Sequence, residues 1–572
     1  MEKNCQNCKK NFEIYLEDQS FYEKIKVPSP TFCPDCRAQR RFIWRNERTL
    51  YKRPCDLCKE DSIFIYDKDT PFPVYCRECY LSDKWDPKSF GFKYDKSIPF
   101  FTQIKKLLDT VPRMGIWTVG CKNSEYTNQS YFNKNTYLSF ALRDCEDVAY
   151  LSFAKDCRQT LDSSYIVDCE QCYENINAEK NYNSAYLQEC KGMVDSNYAF
   201  SCRNCENIFG AVNLRSGKNI FFGEQLSKEE YLSKINSLEL NKRSVRDEIG
   251  KKFNEIKSKS IVKATNQIKC VNCVGDHLEN AKDCHYVFDG WNLEKARYSS
   301  WIFGSKDVSD CFGMGGSELI YEAISPEDIR NCKFVFLTDS SHGCEYTAFC
   351  QSSANLFGCV GIRSGEYMIL NKAYSKEDYK KITEQIRKDM LDLPYIDKRG
   401  IVYKYGEFFP SELCFTSYNE SIAPKYYSLE EKEARDLGFK WKKDIHRSYT
   451  PTLIPEDIPD SINDVPDTII NDIIECKTNS DARRGRSPDQ NASGCTTAFR
   501  ITKEELIFYK KNKIPLPIIC PNCRHGRRME SRNPQKLWDR NCQKCEKEIM
   551  SSYSPDRPEI VYCETCYQQE VY

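Results

Sequence analysis

Histidine is scarce in this chain, with only five among 572 residues. Catalytic zinc sites use histidine or carboxylate ligands and keep one coordination position open for water, and the sequence has no HExxH pattern. Phosphate-loop, dinucleotide-binding and nucleophile-elbow patterns are also missing, and the glycine-rich run at 313–316 lacks the lysine of a phosphate loop. The sequence therefore predicts a protein that is not an enzyme.

Long apolar runs and an excess of one charge are absent as well. No run approaches the roughly 18 apolar residues of a membrane-span candidate, and the opening MEKNCQNCKK contains no apolar signal region. Lysine plus arginine equals aspartate plus glutamate at 84 each, so no overall positive field would hold nucleic acid. We expect a soluble, cytoplasmic protein with no membrane partner and no evident small-molecule substrate.

Cysteine, by contrast, is abundant, with 33 residues. In a short secreted chain this would indicate a disulfide framework, but the chain is long and the count is odd, which favours a reducing compartment. Six cysteines near the start, at 33, 36, 55, 58, 76 and 79, recur near the end, each shifted by 487 positions. Because the residues around them recur too, we interpret the pattern as a duplication with one metal-binding module at each end.

The CxxC knuckles predict four closed metal sites, because two knuckles offer four thiolates, the ligand set of structural zinc. The predicted ligands are Cys5, Cys8, Cys33 and Cys36 in the first site, Cys55, Cys58, Cys76 and Cys79 in the second, Cys476, Cys495, Cys520 and Cys523 in the third, and Cys542, Cys545, Cys563 and Cys566 in the fourth. In the third site Ala492 stands where Cys5 would match, and Cys476 is the nearest upstream thiol. We expect three to four structural Zn²⁺ ions; iron, a crossed pairing of knuckles and an empty third site are the alternatives.

The stretch from Cys5 to Arg41 resembles the bacterial probable zinc-ribbon or treble-clef domain family. It has the CxxC, the aromatic residue, the acidic helix with Phe-Tyr and the CPxCR followed by basic residues, and residues 495–528 resemble a diverged copy. The whole chain is similar to a group of uncharacterised cysteine-rich zinc-binding-domain proteins of small-genome bacteria from candidate phyla. The resemblance implies zinc binding and no established activity.

The middle of the chain carries a twelve-residue repeat. Asp-Cys pairs occur at 144/145, 156/157 and 168/169, with aromatic residues between them. Repeats this short, in short alternating strands with little glycine or proline, predict a β-solenoid, in which twelve residues form one narrow coil or half of a larger one. Residues 196–217 recur at 344–365, an offset of 148, so we predict two solenoid blocks whose cysteines pack in ladders.

The predicted fold class is mainly β with small α+β ends: treble-clef or zinc-ribbon modules at both termini flank two β-solenoid (β-helix-like) blocks with capping helices. Ser227 and Ser375 each have an acidic residue three positions on, the pattern of a capped helix start. The predicted boundaries are 1–95 for the N-terminal double module, 121–222 for the first block, 223–262 for a helical cap, 268–373 for the second block, 374–475 for a helix and a loosely structured connector, and 476–572 for the C-terminal double module.

Arginines cluster after each CPxC knuckle and alternate with aromatic residues such as Phe42 and Trp44. Guanidinium planes beside aromatic rings suit phosphate contact and base stacking. The alternative is that the arginines pair with acidic residues of the Phe-Tyr helices, or are simply solvated on a small domain that zinc already holds together. The predicted nucleic-acid-binding residues are Arg37, Arg40, Arg41, Arg45 and Arg48 near the start, and Arg524, Arg527, Arg528 and Arg532 near the end.

These features favour a non-enzymatic zinc-binding scaffold that binds a macromolecular partner, RNA or a ribosome, through the arginine-rich patches. One alternative is a thiol-based redox or metal-responsive protein that releases zinc on oxidation. Another is a β-helix enzyme that acts on a saccharide through the stacked carboxylates Asp144, Asp156 and Asp168, although a regular acidic ladder more often serves to turn the coil.

Overall fold

The computed structural model describes residues 1–443, 450–483 and 494–572. The chain divides into two compact units, one of Met1–Ile116 with Thr265–Lys443 and the other of Trp117–Ala264 with Asp444–Tyr572. Each unit therefore combines one cysteine-rich terminal segment with one stretch of the repeat-bearing middle. Among the described helices, none has both the length and the apolar character needed to cross a membrane.

In the first unit, residues 1–116 form two small cysteine-bearing folds followed by a helix. Each fold begins with a β-hairpin whose turn carries a CxxC knuckle and ends with a helix that starts at a second knuckle. The strands are Glu2–Asn4, Asn11–Glu13, Tyr51–Pro54, Asp61–Phe64, Val74–Tyr75 and Arg113–Met114; the helices are Leu16–Ile25, Pro34–Phe42, Arg77–Leu81 and Phe100–Thr110, with a 3-10 helix at Pro87–Phe90.

The rest of the first unit is built on a run of parallel strands between residues 267 and 373, which we call the second stack. Its strands are Gln267–Ile268, Val271–Gly315, Glu318–Ile324, Arg330–Phe336, Glu345–Ala348, Ala354–Phe357 and Glu366–Ile369, closed by the antiparallel Lys372–Ala373. Helix Lys376–Asp392 follows, and then come strands Tyr395–Ile396 and Val402–Tyr403, 3-10 helices Ser411–Leu413 and Tyr418–Glu420, and helices Ala423–Tyr426 and Glu431–Asp436.

The second unit contains the first stack, at residues 118–225. Its parallel strands are Thr118–Val119, Ser130–Tyr131, Phe140–Arg143, Ser152–Lys155, Ser164–Val167, Ile176–Glu179, Ala185–Gln188, Asn197–Phe200, Glu206–Val212 and Lys218–Phe221, closed by the antiparallel Glu224–Gln225; Lys134–Tyr137 and Glu146–Ala149 form a separate parallel pair. Helices Lys228–Ser237 and Arg243–Ser258 and strand Ile261–Lys263 follow.

The terminal segment of the second unit repeats the knuckle, hairpin and helix arrangement. Its strands are Ile474–Glu475, Ala498–Phe499, Trp538–Asn541, Glu548–Ser551 and Ile560–Tyr562; its helices are Lys477–Arg483, Lys503–Lys511, Pro521–Glu530 and Glu564–Val571, with 3-10 helices Pro455–Asp457, Ile462–Asp464 and Asp467–Asn471. Strand Ile560–Tyr562 pairs in parallel with Ile261–Lys263, so this segment joins the part of the chain that follows the first stack.

Parallel strands in both stacks pair with a register of twelve residues, except at the start of the second stack, where Gln267 pairs with Leu278. Phe140 pairs with Ser152, and Ser152 in turn pairs with Ser164; in the second stack Ile320 pairs with Cys332. Neighbouring strands are therefore successive twelve-residue segments of the chain.

Within each twelve-residue repeat, side-chain burial and backbone conformation recur every three residues. Every third side chain of the first stack is buried in its interior, as in the run Leu142, Cys145, Val148, Leu151, Ala154 and Cys157. The residue before each buried one has a left-handed backbone, for instance Asp144 at φ 55° and Asp156 at φ 53°. Such a bend is ordinarily disfavoured for residues other than glycine, with aspartate and asparagine among the more tolerant. The predicted cysteine positions thus lie among the stacked interior residues.

The predicted helix caps are confirmed. The hydroxyl of Ser227 accepts a hydrogen bond from the amide of Glu230, whose carboxylate bonds back to the amide of Ser227. Ser375 likewise accepts from the amide of Asp378. Each serine therefore satisfies an amide at the start of a helix that directly follows a stack.

The predicted loose connector differs from the structure over its first part. Phe408, Phe409 and Tyr418 are completely buried in the first unit, and Trp44 packs against Phe409 with ring centroids 5.3 Å apart. Proline and acidic residues led to the prediction of a loose connector. The aromatic residues among them bury enough apolar area to order the first part of that connector.

Candidate metal centres and their arginine-bearing helices

Four groups of four cysteines come together within the described residues. In each group the sulfur atoms all lie within 4.8 Å of one another. The groups are Cys5, Cys8, Cys33 and Cys36; Cys55, Cys58, Cys76 and Cys79; Cys476, Cys495, Cys520 and Cys523; and Cys542, Cys545, Cys563 and Cys566. The structure thus brings together the residues predicted for each of the four sites, with the knuckles in the uncrossed order.

The sulfur spacing fits a tetrahedrally coordinated metal ion. Sulfurs about 2.3 Å from a central ion lie about 3.8 Å from one another in a tetrahedron. The two sulfurs of Cys8 and Cys33 are 3.7 Å apart, those of Cys58 and Cys76 are 3.9 Å apart, and those of Cys545 and Cys563 are 3.8 Å apart. All four ligand positions are filled by protein thiols, so these sites suit a structural metal ion and leave no position for a reactive water.

The local fold explains why the knuckles converge. In each group the first cysteine of the second knuckle is the N-cap of a helix. Its own backbone amide donates a hydrogen bond to the sulfur of another cysteine of the group, and this contact recurs four times: Cys33 to Cys5 at 3.3 Å, Cys76 to Cys55 at 3.2 Å, Cys520 to Cys476 at 3.2 Å and Cys563 to Cys542 at 3.3 Å. These amides favour the thiolate form that a metal ion requires.

The third group is assembled from three separate pieces of chain. Cys476 follows strand Ile474–Glu475, and its sulfur accepts the amide of Cys520 just as Cys5 accepts that of Cys33. Its sulfur lies 3.8 Å from that of Cys523. Cys476 therefore takes the role of Cys5, while Ala492, the position that matches Cys5 in sequence, lies outside the described residues.

Three of the described sulfurs carry pKa values near neutrality, among them Cys476, whose pKa is lowered to about 7 chiefly by its hydrogen bond with Cys495. Burial raises the pKa of Cys55, but backbone amides led by that of Cys76 outweigh it and lower the value to about 7. Burial also raises the pKa of Cys542, but backbone amides led by that of Cys563 outweigh it and lower the pKa to about 6. A substantial thiolate population at neutral pH is what metal binding needs.

The four groups divide into two kinds by exposure. Cys58 in the second group and Cys545 in the fourth are exposed to solvent, whereas no cysteine of the first or third group is exposed. The first and third groups are the ones whose helices carry the arginine clusters. A reagent in solution therefore meets an exposed sulfur in the second and fourth groups, whereas in the first and third groups the most accessible sulfurs, those of Cys8 and Cys495, are only partly accessible.

The helix that begins at Cys33 points three arginines into carboxylates of its own unit. We call Pro34–Phe42 the first docking helix. Arg37 donates from Nε and Nη2 to the two carboxylate oxygens of Asp310 at 2.9 and 3.0 Å. Arg41 donates to Glu322 at 3.1 Å, and Arg40 lies between Glu322 at 2.8 Å and Glu407 at 2.9 Å. Three guanidinium groups thus face three carboxylates.

These charges are buried almost completely. Arg37, Arg40 and Arg41 are only 1–2% exposed, and Asp310 and Glu322 have no exposed side-chain surface. Burial opposes ionisation of Asp310, but the guanidinium groups of Arg37 and Arg41 hold its pKa below the ordinary value. Each arginine and each carboxylate of such a buried pair needs its opposite charge, because a buried charge without a partner is strongly destabilising.

The helix that begins at Cys520, Pro521–Glu530, makes the corresponding contacts in the second unit and is the second docking helix. Arg524 donates to Asp162 at 3.0 Å. Arg528 donates to the same oxygen at 3.0 Å and to Glu174 at 3.0 Å. Burial raises the pKa of Glu174 to about 7, although Arg528 opposes the shift.

The two sets of contacts are related by the two sequence offsets. Arg37 and Arg41 match Arg524 and Arg528 at an offset of 487, and Asp310 and Glu322 match Asp162 and Glu174 at an offset of 148. We call Asp310 with Glu322 the second-stack face and Asp162 with Glu174 the first-stack face. Each docking helix therefore meets a face built from the same residue types in the same order.

Further contacts obey the same two offsets. Tyr298 donates to Asp18 at 3.0 Å, and its counterpart Tyr150 donates to Glu505 at 2.7 Å. Arg45 donates to Ser325 and Arg532 to Asn177, both at 2.6 Å. Arg363 contacts Tyr80, and Arg215 contacts Tyr567. Agreement at this many matched positions means that the terminal segments sit on their stacks in equivalent ways.

One position breaks the match. Arg40 is buried between two carboxylates, whereas the residue at its matching position, Arg527, is exposed. The second docking helix consequently contributes two buried guanidinium groups, those of Arg524 and Arg528, near the carboxylates of Asp162, Glu174 and Glu505.

Most of the arginines predicted to bind nucleic acid are therefore used inside the protein. Arg37, Arg40, Arg41, Arg45, Arg524, Arg528 and Arg532 are buried, Arg48 is partly buried, and Arg527 is exposed. Phe42 and Trp44, expected to stack on bases, are buried as well. The structure thus corrects the predicted surface patches. The seven buried arginines pair with acidic or polar side chains, mostly of the stacks, whereas the alternative had named acids of the Phe-Tyr helices, of which Glu505 lies 3.6 Å from Arg524.

Sequence reasoning missed the acidic partners Asp310, Glu322, Asp162 and Glu174. The signal that could have found them is that they match one another at the offset of 148 while their arginine partners match at 487. The carboxylates predicted for a saccharide enzyme, Asp144, Asp156 and Asp168, do line up on successive turns and are exposed. Asp156 lies 3.3 Å from Lys155, its own neighbour in the chain.

No family model matches this chain, and no curated protein is significantly similar to it. The terminal segments are nevertheless defined by their compact cysteine groups. Four tight groups of four thiols indicate metal-binding modules of the zinc-ribbon kind, and each group could hold one metal ion.

Proposed function

We propose that this protein is a non-enzymatic scaffold in which structural zinc ions hold four cysteine modules in shape and the modules fasten onto two β-solenoids. The main support is that Cys33 and Cys520 each belong to a closed group of four thiols and are also the N-caps of the two docking helices. The arginines of those helices pair with buried carboxylates. Metal binding and attachment to the stack are thereby combined in one short helix.

Several features support the reading of both stacks as β-solenoids. Consecutive strands pair in parallel with a register of twelve, and every third side chain faces the interior. Zinc is favoured over iron because closed groups of four thiolates in small modules are characteristic structural zinc sites. Such an ion contributes about 10 to 16 kcal/mol to the folding of a small module.

The partner we propose is macromolecular, with RNA as the first to test. Because the docking arginines are already paired, the partner would contact the outer faces of the stacks. On the first stack Lys191 and Arg203 lie side by side on neighbouring strands; Lys191 also pairs with Glu179 at 2.7 Å, so a polyanion would compete with that carboxylate. Cytoplasmic location and the absence of catalysis are parts of the same proposal.

Native mass spectrometry with elemental analysis, on protein purified from a reducing lysate, tests the proposal. Four zinc ions per chain are expected, and Cys33→Ser should remove one ion while Cys121→Ser, outside the four groups, should keep all four. Iron in place of zinc, or fewer ions bound by the unaltered chain, would contradict it. RNA that co-purifies and is lost after nuclease treatment would support the partner.

A second candidate function is metal release in response to oxidants. The observation that favours it is the exposure of Cys58 and Cys545, since oxidation follows thiolate character and access. It predicts that peroxide empties the second and fourth sites reversibly and that a reductant with zinc restores them. Unchanged zinc content after peroxide treatment would remove this candidate.

A further inference from the structure

Cysteines of the two stacks differ in exposure according to their place in the stack. Cys121, Cys270 and Cys273 are partly exposed, and the other stack cysteines are buried. Strands Thr118–Val119 and Gln267–Ile268 form the starting edges of the two sheets, and the three partly exposed cysteines follow closely after these strands. The start of each stack is therefore where a reagent in solution meets thiols that belong to none of the four metal groups.

Cys121 and Cys270 occupy the same place in their stacks. Each sulfur donates to the carbonyl oxygen of the residue two positions before it and to one further along the chain: Val119 at 3.6 Å and Ser130 at 3.5 Å for Cys121, and Ile268 at 3.4 Å and Leu278 at 3.5 Å for Cys270. Three positions further on, the first stack has Ser124 and the second has Cys273. Only the second stack thus begins with a pair of thiols.

The sulfur of Cys273 lies beside two other sulfurs. A hydrogen bond with Cys273, together with burial, raises the pKa of Cys270 above its ordinary value. Contact with Cys270 lowers the pKa of Cys273, but contact with Cys284 and burial outweigh it and raise the pKa. Cys284 is buried, so Cys270 is the neighbour of Cys273 that an external reagent can reach.

The place of the pair favours a covalent bond between the two sulfurs. Sulfurs in hydrogen-bonding contact need to approach by only about 2 Å to reach the length of a disulfide bond. Strand Gln267–Ile268 has a neighbouring strand on one side only, and its register of eleven already departs from the twelve of the rest of the stack. The first repeat can therefore adjust without disturbing a strand on its other side.

We propose that Cys270 and Cys273 are a thiol-modification site, at which a low-molecular-weight disulfide converts the pair into a disulfide bond within the first repeat of the second stack. The site is separate from the proposed function, since neither residue belongs to a metal group. Its partner is a small thiol compound in its oxidised form, of which glutathione disulfide is the probe.

The reaction is two successive exchanges. The thiolate of one cysteine attacks a sulfur of the reagent disulfide, which breaks the reagent S–S bond, forms a mixed disulfide and releases one reagent thiolate. The thiolate of the second cysteine then attacks the protein sulfur of the mixed disulfide, closes the bond between the two residues and releases the second reagent thiolate. The two protons of the cysteines end on the released thiolates, so the pair loses two electrons and the reagent gains them.

The raised pKa values of Cys270 and Cys273 set the pH dependence of this reaction. Only the thiolate attacks, and for a thiol whose pKa lies well above the pH its thiolate fraction rises tenfold per pH unit. We therefore expect the rate of bond formation to rise about tenfold between pH 7 and pH 8. The pair stays reduced until the oxidised reagent accumulates.

Peptide mapping of the full chain tests the site. The protein is treated with glutathione disulfide until Cys121 is modified, free thiols are alkylated, and trypsin then cleaves after Lys269 and Lys282, so that both cysteines lie in peptide 270–282 and Cys284 lies in peptide 283–295. We expect peptide 270–282 to escape alkylation and to be lighter by two hydrogen atoms than its reduced form. Zinc content of the same sample is measured separately, so that metal release and bond formation are told apart.

Two results in the unaltered protein would overturn the proposal. One is a peptide 270–282 that keeps both thiols free although Cys121 has been modified. The other is a bond that joins peptides 270–282 and 283–295, which would assign the reactive pair to Cys273 and Cys284.

Two variants complete the test. Cys273→Ser places at this position the serine that the first stack has at Ser124; it should abolish the bond and leave glutathione attached to Cys270. Cys121→Ser alters the matching thiol of the first stack and should leave the bond in peptide 270–282 unchanged. Loss of the bond in the Cys121→Ser protein would contradict a reaction confined to the second stack.

Discussion

Arg37 and Asp310 lie 273 positions apart in the chain and form two parallel hydrogen bonds of 2.9 and 3.0 Å. Arg524 and Asp162 repeat the pairing across 362 positions, with one hydrogen bond of 3.0 Å. In both places the arginine is one residue beyond a cysteine of a metal group. The position of each guanidinium therefore depends on the same helix start that shapes the metal site.

Replacing Asp310 by asparagine should destabilise the first unit by about 3 to 5 kcal/mol, because it leaves the buried Arg37 without its counter-charge. Urea denaturation of the full chain, followed by hydrogen exchange in residues 34–42, measures the effect. Lys134→Gln serves as the control, since Lys134 and Glu146 form an exposed pair of the kind that contributes at most about 1 kcal/mol. Equal effects of the two substitutions would show that the buried pair is not needed.

Replacing Cys476 by serine should lower the zinc content by one ion and loosen the second docking helix. Cys476 accepts the amide of Cys520 at the start of that helix, so loss of the sulfur affects both the metal and the helix. We expect hydrogen-exchange protection to fall in residues 521–530 and to persist in residues 34–42. The same substitution at Cys414, a buried cysteine outside the four groups, should keep every metal ion.

A retained content of four zinc ions in the Cys476→Ser protein would contradict the assignment of Cys476 as the fourth ligand. Loss of hydrogen-exchange protection in both docking helices would instead indicate general unfolding. The Cys414→Ser protein shows whether replacing a buried cysteine outside the metal sites is enough to cause it. The two readouts thus separate the metal site from the overall stability of the chain.

The knuckle pattern was sufficient to find all four thiol groups, because metal geometry demands short, regular spacings that sequence preserves. Even the displaced ligand Cys476 could be named, as the nearest upstream thiol. The twelve-residue repeat predicted short stacked strands but left their register open, and only the pairing of Phe140 with Ser152 shows that it is twelve.

The buried arginines could not be placed from sequence, for a physical reason. Arginine is rarely buried unless it is paired, and the partners Asp310 and Glu322 are remote in the chain. Nothing local distinguishes Arg37, which is buried, from Arg527, which is exposed. The pairing can be inferred from the sequence only by combining two offsets, 487 for the arginines and 148 for the acidic residues.

A thiol-reactive reagent should release zinc in two phases of two ions each. The fast phase comes from the second and fourth groups, whose Cys58 and Cys545 are exposed, and the slow phase from the first and third groups, where no cysteine is exposed. A colorimetric zinc chelator follows the release over time. Cys545→Ser should abolish half of the fast phase and leave the slow phase unchanged, whereas a single phase of four ions would contradict the division.

The second unit should lose stability as pH rises through neutrality, because of Glu174. Burial raises its pKa to about 7 in the folded state, whereas an unperturbed glutamate has a pKa near 4.3. A carboxyl whose folded pKa is raised binds its proton more tightly when folded, so its stabilising contribution is complete below the unfolded pKa and disappears as pH rises through the folded one.

Substituting Glu174 by glutamine should remove this dependence, because the amide stays neutral and can still accept the hydrogen bond from Arg528. Relative to the unaltered protein, the Glu174→Gln protein should therefore gain about 1 kcal/mol or more in the free energy of unfolding between pH 5.5 and pH 8. Urea denaturation at both pH values measures the difference, with hydrogen exchange in residues 521–530 reporting the second unit. Glu170→Gln alters an exposed carboxylate of the same stack and should follow the unaltered protein; a gain of the same size in that control would assign the effect to overall charge and not to the buried contact.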